Sequence, residues 1–108
     1  MSKLIKQTTG YLSKIEKAES KQKYSKHLNI PGLIFVYESH NKCPKNKFVY
    51  LFYDNDCTIT YFHTSCGNVS INDKKINFFS DNSGYEFVID EKCLDETKKK
   101  EILLNIYH

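Results

Sequence analysis

From Gly32 onward the sequence falls into runs of strand length, and the connections between them are too short for anything but antiparallel neighbours. The runs are 32–39, 48–54, 58–64, 68–71, 75–79 and 85–90, all rich in β-branched and aromatic residues. Turn chemistry separates them: 41–46, Asp54-Asn55-Asp56, Ser65-Cys66-Gly67, Asn72-Asp73 and Asp81-Asn82-Ser83-Gly84. A parallel crossover needs about a dozen residues or more, so the expected arrangement is an antiparallel meander of five to six strands. The first two runs do not alternate. Leu33, Ile34, Phe35, Val36 and Tyr37, and then Phe48 through Tyr53, are apolar on both faces, which requires both faces to be covered by helices or by a partner.

The flanks read as helices. Leu4, Thr8, Tyr11 or Leu12, Ile15 and Ala18 recur at helical spacing, and Ser13-Lys14-Ile15-Glu16 matches a capping box, so a helix over 11–27 is expected. At the other end Asp95 is a good N-cap and Ile102, Leu103, Ile106 and Tyr107 form a stripe, which predicts a helix packed on the sheet. The fold class expected is therefore α+β in one domain over 1–108, divided into a basic helical arm (1–30), an antiparallel sheet (31–92) and a C-terminal helix (93–108).

Charge is unevenly placed. All 16 basic residues are lysine, and those before Pro31 give that segment +5 against −2 for the rest. Without arginine the chain lacks the bidentate fork that most often reads guanine edges, which counts against sequence-specific duplex recognition. Lys, Asn, Ile, Tyr and Phe supply 50 of the 108 residues and have A/T-rich codons, pointing to a low-GC bacterium, its phages or a large DNA virus. No run reaches the roughly 18 apolar residues of a membrane span, and no apolar core of a secretory leader follows Met1, so a cytoplasmic protein without membrane contact is expected.

The most specific chemical pattern is His40-Asn41-Lys42-Cys43 together with His63-Thr64-Ser65-Cys66. Two imidazoles and two thiolates in short-range pairs are what tetrahedral zinc accepts, and a meander places both pairs at one end of the sheet. Zinc through His40, Cys43, His63 and Cys66 is the one cofactor the sequence admits; the competing reading makes all four structural residues. Cys57 and Cys93 read as buried thiols. A thiolate–imidazolium pair at His63 and Cys66 ranks last, since no orienting Asn or Asp is assigned, and 4 glycines cannot assemble a P-loop or dinucleotide fingerprint.

These features lead to a small interaction protein, not an enzyme, expected to be a phage- or mobile-element-type inhibitor that docks on and blocks a host or defence protein. The alternatives are a nucleic-acid-binding protein using the lysine-rich N-terminal helix and a small zinc-binding module. Partner contact is expected at Lys14, Lys17, Lys21 and Lys23 on the arm and at Tyr37, Tyr50 and Tyr53 on the doubly apolar strands, the latter also admitting a homodimer.

Overall fold

In a computed structural model of the chain, which describes residues 2–16, 24–39, 46–53, 58–80 and 83–106, the meander closes on the amino-terminal segment. Strands β1 (Ser2–Glu16), β2 (Gly32–Ser39), β3 (Asn46–Tyr53), β4 (Ile59–Ile71), β5 (Lys75–Phe79) and β6 (Gly84–Ile89) pair antiparallel in chain order. β1 also pairs with β6, which completes a barrel. One 3-10 turn (Ser25–His27) lies between β1 and β2, and helix α1 (Glu96–Ile106) follows the barrel.

The expected α+β class with an N-terminal helix is overturned: the fold is mainly β, and residues 2–16 are a strand. The misleading signal has a physical origin. Thr8, Gly10 and Leu12 lie opposite Ile34, Gly32 and Phe87, whereas the pairing slips between Leu12 and Lys14, so that Ile15 rather than Lys14 meets inward-facing Tyr85. A β-bulge at Ser13 thus converts a spacing of two into a spacing of three, which a periodicity argument reads as helix. Ser13 does not cap a helix; its hydroxyl donates to the Glu86 carbonyl oxygen (3.0 Å).

The two longest strands each serve two neighbours. β1 pairs with β2 up to Gly10 and with β6 from Gly10 onward, while β4 pairs with β3 up to Gly67 and with β5 from Asn68. Residues 65–67, expected as a turn, therefore continue the strand. Glycine is required at both changes of partner for close approach. A Cβ on Gly10 would overlap the Val88 carbonyl oxygen, and one on Gly67 would enter the Phe78 ring.

Closure explains the doubly apolar strands. The inward residues Ile34, Val36, Phe48, Tyr50 and Phe52 join Leu12, Phe62, Ile76, Phe78 and Phe87 in the barrel core. Phe48 stands at its centre, edge-on to Phe62, Phe78, Tyr85 and Phe87 with ring centroids 4.9–5.4 Å apart. The outward residues Leu33, Phe35 and Leu51 form a second cluster under Leu94 and Ile102, so α1 does pack on the sheet as the sequence predicts. Asp95 starts the helix as expected, its carboxylate accepting the Lys98 N–H (2.8 Å).

One barrel end is closed by residues 24–31. Tyr24, Leu28 and Ile30 pack on the core, the Asn29 N–H donates to the Leu12 carbonyl (2.7 Å) from a left-handed backbone (φ 62°), and the buried Tyr50 hydroxyl donates to the Ile30 carbonyl. Elsewhere Thr9 latches β1 to the chain after β6, its hydroxyl donating to the Asp90 carbonyl (2.8 Å) while the Asp90 N–H returns a bond to Thr9. No helix among the described residues is long and apolar enough to cross a membrane.

Candidate functional site

A barrel packed with aromatic rings leaves its outside to do the work. Side chains alternate along each strand, so the cross-strand pairs Tyr37–Lys47, Val49–His63, Leu51–Tyr61 and Tyr53–Ile59 all stand on the outer face of β2, β3 and β4. Leu94 and, from helix α1, Ile102 cover one end of this face, and Glu101 of the helix accepts a hydrogen bond from the Tyr53 hydroxyl (2.7 Å). Among the described residues nothing covers the other end. Tyr61 is 59% exposed, His63 is exposed beside it with ring centroids 4.8 Å apart, and the Lys47 ammonium lies over the Tyr37 ring, 5.3 Å from its centroid. Tyr37 in turn stacks along Phe35 at 6.4 Å. The outward described side chains of β2–β4 include rings, aliphatics, one lysine and one histidine, and no carboxylate.

Of the seven residues expected to meet a partner, the four that are described do not gather on one surface. Tyr37 and Tyr53 are half-buried on this outer face, at opposite ends. Tyr50 points inward and is fully buried, so it belongs to the core and presents no surface. Lys14 is an exposed residue of β1, 3.8 Å from Glu16, and not part of a helical arm; Lys17, Lys21 and Lys23 lie outside the described residues.

The zinc set cannot be assembled from the described side chains. His40 and Cys43 lie outside the described residues, Cys66 is placed only as backbone in β4, and His63 faces outward against Tyr61. The register brings Asn46, at the start of β3, opposite Gly67. Among the described residues no three His, Cys, Asp or Glu side chains gather as metal ligands do. Cys57 is outside the described residues, and Cys93 is a half-buried thiol at the edge of the outer cluster, its pKa raised by burial and then by the Asp90 charge.

Three further groups have shifted protonation, and each shift has a structural cause. Burial raises the Tyr50 phenol. The Lys75 ammonium, 2.7 Å from the Glu86 carboxylate across β5 and β6, lowers Glu86. His27 is lowered by burial and then by Lys26; its ring sits among Tyr24, Phe52 and Phe62 at the closed barrel end. These groups lie apart and stabilise or close the barrel; they do not converge on a common point.

Sequence reasoning missed Tyr61; it set Lys42, Lys45 and Lys47 beside Phe48, Tyr50 and Phe52 as a single-stranded nucleic-acid surface and preferred to read those rings as core. The signal for Tyr61 was the alternation Ile59, Tyr61, His63 around the inward Phe62, in which every outward position is apolar or aromatic although a solvent-facing strand would carry polar residues there. The chain matches no known protein family, no curated protein and no solved structure.

Proposed function

We propose that the protein is a non-enzymatic binding module whose working surface is the uncovered outer face of β2–β4. One observation carries this reading: Tyr61, outward on β4, holds more than half of its surface in water on a barrel that buries its inward rings. An exposed aromatic beside a second ring and a lysine has a high area to offer and little reason to remain uncovered in a free monomer. The aromatic interior supports the same conclusion, because it occupies the space in which a small barrel would otherwise hold a ligand. The narrower expectation of a phage-type inhibitor acting on a defence protein rests on codon bias and size alone; neither the fold nor the surface adds support to it.

The test is positional. A photo-crosslinking residue in place of Tyr61 should form adducts in the cell that makes the protein, whereas one in place of Ser70, outward and exposed farther along the same strand, should not. Adducts at Ser70 and none at Tyr61 would contradict the reading.

A further inference from the structure

We propose that this face binds single-stranded nucleic acid, with bases against Tyr61 and His63 and a phosphate at Lys47. The inference rests on the outer face being the working surface and adds the class of partner.

The argument begins with what the face asks of an occupant. Tyr61 and His63 present adjacent rings (4.8 Å between centroids) beside their cross-strand partners Leu51 and Val49. Two strand positions along, Lys47 is held over the Tyr37 ring, so its charge is fixed at the edge of the ring cluster instead of swinging freely into solvent. A partner that pressed on the rings without bringing an anion would strip water from that ammonium and leave it unpaired, which opposes binding. The outward described side chains of β2–β4 carry no carboxylate to neutralise it, and Glu101 stands at the other end, bonded to Tyr53.

The chemistry that satisfies both demands is a flat ring joined to a negative charge and repeated. Each nucleotide supplies a π-face for stacking and a phosphate for the lysine, and base–aromatic stacking tolerates any sequence. A second copy of the chain would bring one carboxylate toward Lys47, Glu101 of α1 at the other end of the face, and that group already accepts from the Tyr53 hydroxyl. Duplex DNA hides its base faces, and the chain has no arginine with which to read groove edges. Lysine is sufficient for the phosphate, as a point charge. The net charge of +3 adds a mild attraction toward a polyanion.

The experiment titrates the full chain into a fluorescein-labelled oligothymidylate of about 16 nucleotides, and separately into a duplex of the same length, at about 50 mM and about 200 mM salt. The single strand should bind more tightly than the duplex. Tyr61→Ala should weaken binding by about tenfold and Tyr61→Phe should restore it, because only the ring is needed. Lys47→Ala should reduce the slope of log Kd against log salt by about 0.7, the contribution of one phosphate contact. Thermal unfolding of each variant controls for folding, and Lys92→Ala, on the exposed turn after β6, controls for loss of charge alone.

Binding that ignores Tyr61→Ala and Lys47→Ala would overturn both the inference and the choice of face. If no oligonucleotide binds at low salt while sedimentation shows a dimer that Tyr61→Ala dissociates, the face remains the working surface and the nucleic-acid inference falls. If neither binding nor association occurs, the face has no occupant among these and both readings fall.

Discussion

Gly10 of β1 and Gly67 of β4 occupy equivalent places in the barrel: each stands where a long strand exchanges one neighbour for the next, and at neither is there room for a Cβ. Gly10→Ala and Gly67→Ala should each destabilise the protein by roughly 1–3 kcal/mol, the usual cost of overpacking. A Cβ at position 10 would meet the Val88 carbonyl oxygen, and one at position 67 would meet both the buried Phe78 ring and the Phe79 carbonyl oxygen, so at both places a backbone atom stands in the way. Urea unfolding of the two variants checks this, and a variant as stable as the parent would contradict it.

Tyr50 and Tyr61 look alike in the sequence and should respond in opposite ways. Tyr50→Phe leaves the Ile30 carbonyl without its phenolic donor inside the protein and should cost about 1–3 kcal/mol. Tyr61→Phe removes an exposed hydroxyl and should stay within about 0.5 kcal/mol of the parent. Thermal midpoints of the pair decide this.

That contrast marks the limit of what the sequence made legible. Antiparallel strands after Gly32 and the helix after Asp95 followed from alternation, turn residues and a cap, although the runs 58–64 and 68–71 are one strand, β4. Closure did not, because it depends on β1, whose bulge at Ser13 disguised an alternating pattern as a helical one. Without closure, the two apolar faces of β2 and β3 seemed to require a partner on one side; in the structure the barrel core fills the inner face and α1 covers part of the outer. Tyr50 was consequently read as surface. Tyr61 went unnoticed because a single aromatic in a strand has no distinguishing pattern until its face is known.

The helix contributes through a narrow contact. Ile102 is fully buried against the outer cluster, so Ile102→Ala should cost roughly 2–5 kcal/mol, whereas Leu104→Ala, at a side chain 60% exposed, should cost little. Chemical denaturation of both variants checks that α1 is docked by one face.

Stability should fall with acidification in two steps. His27 has its pKa below the ordinary 6.5 in the folded state, so the unfolded chain binds the proton more readily; its contribution is complete above about pH 6.5 and declines as the pH drops through that range. Glu86 is likewise lowered, from 4.5, and the stability it gains from Lys75 is present above that value and lost below it. Denaturation midpoints between about pH 8 and pH 2 should show both declines, with His27→Gln removing the upper one.

The central claim, that the outer face of β2–β4 binds single-stranded nucleic acid, is tested most directly by amide chemical-shift mapping of the labelled protein during addition of oligothymidylate. The account predicts shifts concentrated at Tyr37, Lys47, Val49, Tyr61 and His63, with β5 and β6 unaffected. Shifts confined to β5 and β6, or a spectrum that does not change at all, would contradict it.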